Sequence, residues 1–233
     1  MVFQLEKVIP WGRNLDEYIR MFNLTASDLQ LNILDCASGP ASFNVEMTAQ
    51  GYQVISSDPI YQFTAEEIAQ RIQDTYQTVI NGVSSNFDHY IWTNIKSPEE
   101  LGKVRMAAME KFIKDFPLGF SQGRYMTSEL PYLPFHNSQF DLALSSHFLF
   151  AYSEHFSGEF HVNALRELCR VAGEIRIFPL LTISGEISPF VALAQEKLET
   201  EGYLTEIQTV SYEFQKGGNQ MLLVKRASKL FFT

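Results

Sequence analysis

Asp35, Gly39 and Asp58 are the residues whose types and spacing first suggest chemistry. Residues 33–43 read ILDCASGPASF, an apolar run followed by a loop of small residues around one glycine. Gly39 lacks a Cβ and lets a ligand approach the backbone closely. Ala37, Ser38, Ala41 and Ser42 keep the flanking positions small. Asp58 follows Gly39 by 19 residues, at the end of the next apolar run, QVISS. An acidic side chain there can accept hydrogen bonds from both ribose hydroxyls of an adenosine-type ligand. Each residue also has a plainer reading: Asp58 as a cap or turn before Pro59, and Gly39 as an ordinary tight turn. The pair points to a ligand more strongly than either residue alone.

Such a loop works only if strands and helices position it. Residues 14–22 carry Leu15, Tyr18 and Phe22 at helical spacing. Residues 32–37 predict a buried strand, 41–50 a helix ended by Gly51, and 53–57 a second strand. Thr64 and Glu67 form a capping-box signature, and Ser97-Pro98 with Glu100 repeats it. Residues 61–123 therefore predict a helical insertion after the second strand, its last helix stopped at Pro117 and Gly119. Strand patterning returns at 124–126, 140–146, 174–181, 203–214 and 220–225, with helices at 159–171 and from Ser188-Pro189 to near Gly202. The turn 216–219 predicts a closing hairpin. Alternating strands and helices imply right-handed crossovers and a parallel sheet. The expected fold is α/β: a doubly wound, mostly parallel seven-stranded sheet with helices on both faces and a C-terminal antiparallel hairpin. One domain is expected over 1–233, with an N-terminal helical segment over about 1–30 and the insertion serving as a lid.

In a doubly wound sheet the ligand lies beyond the carboxyl ends of the strands. A dinucleotide needs G-x-G-x-x-G to seat its pyrophosphate on a helix N-terminus. Here those three positions are Ala37, Gly39 and Ser42. S-adenosylmethionine needs no phosphate cradle, and its positive sulfonium suits acidic surroundings. The run Asp35-Cys-Ala37-Ser-Gly39-Pro-Ala41 resembles the first motif of class I S-adenosylmethionine-dependent methyltransferases, D/E-x-G-x-G-x-G, with alanines at two of the three glycine positions. Leu133-Pro-Phe135 and the run from Gln139 to Ser146 resemble the family's LPF…FDLVLSS segment. Residues 171–177 resemble the strand that follows a glycine turn, and the terminal hairpin is a family feature. The resemblance covers about residues 32–59 and 124–225.

It implies S-adenosylmethionine as cofactor and methyl transfer to a small-molecule acceptor. Asp35 would orient the methionine amino group, with the backbone of Ala37, Ser38 and Gly39 beside the cofactor. Asp58, next to Pro59, would bind the ribose. Glu129 and Leu130 would meet the adenine, and Ser146 and His147 would line the cleft near the methyl group. Asp35 as a helix cap and Glu129 as a solvated loop residue are the alternatives. Methyl transfer needs a general base only for a weakly acidic acceptor. His147 is the best-placed candidate, ahead of His155 and His161, with a structural hydrogen bond at the strand end as its other use. Trp11, Tyr18, Trp92 and Tyr152 are candidate acceptor contacts, and Phe87, Tyr90 and Phe120 could join Trp92 in an apolar wall. Core or dimer packing is the competing use of these aromatics, and a second copy of the chain is the candidate protein partner. Arg13 reads as a surface charge, with an anionic substrate as its alternative.

Composition narrows the field. Lys plus Arg number 18 and Asp plus Glu 27, a net charge of −9 with no basic stripe, which disfavours a nucleic-acid substrate. Cys36 and Cys169 form no C-x-x-C, and no zinc-ligand spacing appears, so no metal is expected and a reduced cytoplasmic setting is the simpler reading. The first ten residues lack a signal-peptide pattern, and no stretch approaches a membrane span. A nicotinamide-dependent oxidoreductase or epimerase, and a non-catalytic cofactor-binding module, are the competing functions.

Overall fold

The computed structural model describes residues 8–227. Seven strands, β1 (Ile33–Cys36), β2 (Val54–Ser57), β3 (Tyr125–Met126), β4 (Phe140–Ser146), β5 (Ala172–Phe178), β6 (Tyr203–Thr209) and β7 (Gln220–Arg226), form one sheet. Their order is β3-β2-β1-β4-β5-β7-β6. The first five in that order run parallel, and β7 lies antiparallel between β5 and β6. This is the Rossmann-like methyltransferase topology. From β1 the chain builds outward one way through β2 and β3, then the other way through β4 and β5. The reversal between β1 and β4 opens a crevice at their carboxyl ends.

Strand alternation sorts the core. Ile33 faces one side of the sheet with Leu142 and Leu144, packing on Tyr18 of α1 (Leu15–Met21) and on Phe43 and Met47 of α2 (Phe43–Ala49). Leu34 and Cys36 face the other side, packing with Ala143 and Ile175 against α5 (Gly158–Val171) and α6 (Phe190–Thr200). Asp35 shares the α1 face with Ile33. Between β2 and β3 the insertion forms two long helices, α3 (Ala65–Ser85) and α4 (Pro98–Ser121). The capping box of Thr64 and Glu67 is made in both directions, and Ser97 caps α4 through the Glu100 amide.

Several element boundaries depart from expectation. The helix α4 runs through Pro117 to Ser121. The proline removes one donor, but Phe112 and Phe116 pack on Tyr61 and Tyr125, and Asp115 takes two bonds from Arg124 at 2.7 and 2.8 Å. Gly119 does not stop the helix; it lies under Tyr125, where a Cβ would sit 2.3 Å from the ring. The left-handed residue beyond the helix is Gly123, at φ +74°. Strand β5 starts at Ala172, straight out of α5, and ends before Pro179. Strand β6 ends at Thr209 rather than 214. The link to β7 is therefore residues 210–219 rather than the four-residue turn, and it turns Tyr212 inward, where it is buried. Of the N-terminal segment expected to be helical over about 1–30, residues 1–7 lie outside the described residues. Within the rest, helix is confined to Leu15–Met21 and a 3-10 turn at Asp28–Gln30.

Candidate functional site

A cavity of about 880 Å³ opens at the carboxyl ends of β1, β2 and β4. The loop after β1 forms its floor. Ala37 and Gly39 both take left-handed backbone angles, φ +55° and +54°. The Ala37 amide donates to Ser57 O at 2.8 Å, tying the loop to β2. A Cβ built on Gly39 would meet no atom within 4 Å, so the loop leaves open space on that side.

Asp58 does two jobs at the end of β2. Its Oδ1 accepts from the Ile60 amide at 2.8 Å, the capping role that was the plainer reading. Its Oδ2 accepts from the Gly39 amide, also at 2.8 Å, which locks the two candidate residues together. A carboxylate has about four acceptor positions, so lone pairs remain on both oxygens. Burial pushes the Asp58 carboxyl up to about 6; the two amides oppose that, and the charge of Glu129 adds to it. Pro59, Ser38, Glu129 and Leu130 also line the cavity.

Asp35 is placed differently from expectation. It is fully buried and does not reach the cavity wall. Its oxygens accept from the hydroxyls of Tyr18 at 3.1 Å, Ser56 at 3.4 Å and Ser38. Strand alternation is the cause: position 35 points under the sheet toward α1, whereas the loop that follows points outward. Burial raises its carboxyl to about 7, against the hydrogen bonds from Ser38 and Tyr18. Asp35 thus braces Tyr18 and Ser38, which do line the cavity.

Ser146 and His147 close the crevice from β4. His147 adopts φ +53°, and its amide donates to Phe178 O at 2.6 Å. Burial, then the charges of Arg13 and Arg105, push its imidazole well below its ordinary range. The ring is therefore neutral. Its Nδ1 lies 2.8 Å from Ser146 Oγ. If Nδ1 carries the hydrogen and donates to that oxygen, Nε2 is left able to accept a proton. By contrast, both ring nitrogens of His161 lie 2.8 Å from backbone carbonyl oxygens, of Ser157 and Leu149, to one of which its N–H donates, a structural role.

Of the candidate acceptor contacts, Trp11, Tyr18 and Tyr152 line the cavity and Trp92 does not. Trp92 stacks on Phe87 and donates its indole N–H to Phe87 O at 2.9 Å. Phe87 and Phe120 are exposed and outside the wall, leaving Tyr90 as the member of that aromatic group that reaches it. Sequence reasoning missed the residues of the 210–219 link, Tyr212, Phe214 and Gln215, and also Arg105. The link carried no local signal. Arg105 did: it falls on the apolar stripe of Leu101, Ala108 and Phe112, where a charge needs a reason. The reading of Arg13 as a surface charge is also corrected, because Arg13 lines the cavity. Among the described residues no group of three or more His, Cys, Asp or Glu is placed to hold a metal, and no helix is long and apolar enough to cross a membrane.

No family model matches the chain. It is 36% identical over 225 residues to the uncharacterized protein MJ0045 of Methanocaldococcus jannaschii, across 95% of this chain and 98% of that one. Among solved structures it is similar to the magnesium protoporphyrin IX methyltransferase of Synechocystis PCC 6803 with bound SAM, at TM-score 0.43 and 15% identity, covering 86% of this chain and 73% of that one. It is also similar to a SAM-dependent methyltransferase from Aquifex aeolicus, at TM-score 0.42 and 15% identity, covering 89% and 90%.

Proposed function

The chain belongs to the family of the uncharacterized Methanocaldococcus jannaschii protein MJ0045, and from the geometry of its cavity we propose that it is an S-adenosylmethionine-dependent methyltransferase acting on a small molecule. The observation that carries this reading is the joined pair: Asp58 at the end of β2, bonded through Oδ2 to the amide of Gly39 in a left-handed loop. That pair sits where the strand order reverses, on the wall of a cavity whose volume suits a nucleoside cofactor together with an acceptor. The residues fit the cofactor. Free lone pairs on Asp58 can take ribose hydroxyls, and the open side of Gly39 admits the ligand backbone-close.

The nicotinamide alternative is disfavoured by the start of α2. A pyrophosphate needs free amides at that helix terminus. Ser42 and Phe43 are fully buried there, and neither lines the cavity.

S-adenosylmethionine supplies an electrophilic methyl on its sulfonium. The chain's contribution is position and dryness. Asp58 holds the ribose end, Glu129 and Leu130 face the base, and Tyr18, Tyr152 and Phe178 wall the far side against water. His147 lines the cavity beside the strand end, where an anionic acceptor would offset the arginine charges that lower its basicity.

Isothermal titration with S-adenosylhomocysteine tests this, beside NAD and an Asp58→Ala variant. The expected result is binding to the first ligand and none to NAD. The variant should bind at least about 100-fold more weakly, from two lost bonds to a charged acceptor. Absence of binding to S-adenosylhomocysteine, or tight binding of NAD, defeats the proposal.

A further inference from the structure

Three guanidinium groups line the cavity, those of Arg13, Arg71 and Arg105; Arg71 lies over the Phe63 ring, and Glu17 pairs with Arg105. Arg105 of α4 is buried, and its Nη1 bonds both oxygens of Glu17 at 2.6 Å. Glu17 also accepts from the Asn14 amide at 3.1 Å and from Tyr212 OH at 3.2 Å. That makes four bonds, which fills a carboxylate. Glu17 has no acceptor position left for Arg13.

Glu17 acts on Arg13 through its charge alone, with no bond between them. Arg13 makes no ion pair among the described residues. Of its five N–H donors, Nη1 reaches Trp11 O at 3.1 Å, while Nε is buried without a partner. The backbone beneath is fixed. Arg13 O accepts from the Ser42 amide at 3.0 Å, and Gly12 is pressed so close to Pro40 that a Cβ would lie 2.0 Å from its carbonyl oxygen. The side chain is therefore delivered to the cavity from a held segment. A half-buried cation with a buried, unpaired N–H and no ion pair is costly.

We propose that Arg13 is the receptor for a ligand carboxylate, taken by its planar fork in two parallel bonds. The fork geometry matches a carboxylate better than a point charge would. The Arg105–Glu17–Tyr212 network supports it by keeping Glu17 from folding over to neutralise it. Under the methyltransferase reading, on which this rests, a carboxylate reaches the cavity from two sources: the methionine end of the cofactor or an anionic acceptor.

The test uses the whole chain, wild type and Arg13→Met, titrated with S-adenosylhomocysteine and with 5′-methylthioadenosine, which lacks the amino-acid end. A loss of about tenfold or more for the first, with the second unchanged within about twofold, assigns the cofactor as the source. If neither changes, the protein saturated with S-adenosylhomocysteine is titrated with a panel of arylalkyl carboxylates and their neutral amides. A wild-type preference for carboxylate over amide that Arg13→Met abolishes assigns the acceptor. Equal weakening of both adenosine ligands, or no carboxylate preference in either arm, overturns the proposal. Should Arg13→Met fail to fold, wild type compared between S-adenosylhomocysteine and its carboxamide, with Arg13→Lys as the second variant, poses the same question. Failure of the methyltransferase reading looks different: wild type binds neither adenosine ligand, and the carboxylate-against-amide comparison on the unliganded protein still judges Arg13.

Discussion

At the residue scale, the proposed function makes Asp58 a link between protonation and binding. Its carboxyl is raised to about 6 by burial, against the amides of Ile60 and Gly39, with Glu129 adding to the rise. Ribose hydroxyls donate to the ionised form, so ligand affinity should increase as pH climbs through about 6. Between pH 5 and pH 8 the dissociation constant of S-adenosylhomocysteine should tighten by about tenfold, and Asp58→Asn should flatten that profile. The stability of the unliganded protein runs the other way. A carboxyl raised on folding contributes stability that is fully present below its unfolded value and lost as pH rises through about 6. Ala37 is the other telling residue. A left-handed alanine costs about 1–2 kcal/mol, and the short bond from its amide to Ser57 O is what the loop gains in return. Glycine at that position would adopt the same angle without the strain, so the small residues here keep the conformation that the glycine pattern implies.

At the element scale, α4 matters less as a cover than as a post. It carries Arg105 into contact with Glu17 of α1 and Tyr212 of the link between β6 and β7. Burial opposes ionisation of Glu17, but the charge and hydrogen bond of Arg105 hold its carboxyl below the ordinary range. Arg105→Met would strand that carboxylate. The expected cost is about 3–5 kcal/mol of folding stability, read as a lower urea midpoint. Adding Glu17→Met should restore part of it, because the stranded charge is then gone. A cost near zero for Arg105→Met would mean that the three elements do not depend on this network. The persistence of α4 through Pro117 has the same logic. The aromatic contacts of Phe112 and Phe116 outweigh one missing donor.

At the scale of the whole molecule, the cavity is a joint product of regions distant in sequence: the segment before α1, the ends of β1, β2 and β4, the insertion, and the 210–219 link. A ligand that touches all of them should stabilise the fold as a unit. S-adenosylhomocysteine at about 100 times its dissociation constant should add about 2.7 kcal/mol. For a chain of this size that raises the melting temperature by roughly 5–11 °C. Differential scanning fluorimetry would measure it, and Asp58→Ala should show little shift at the same concentration.

What the sequence alone determined is what short-range physics can carry. The run from Ile33 to Gly39, the spacing to Asp58 and the two capping signatures at Thr64 and Ser97 depend on neighbours a few residues away. They located β1, β2, α3 and the loop after β1. Alternation and amphipathic spacing likewise predicted a doubly wound sheet with an antiparallel end. Tertiary structure decided the rest. Asp35 lies behind the wall because of which face of β1 it occupies, and Trp92 is kept from the cavity by Phe87. Arg13 and Arg105 differ in partners, because Glu17 pairs with Arg105 and makes no bond to Arg13. The bonds that settle this join residues 88, 107 and 195 positions apart. Their partners are chosen by packing between elements, and no local pattern in the chain records that choice.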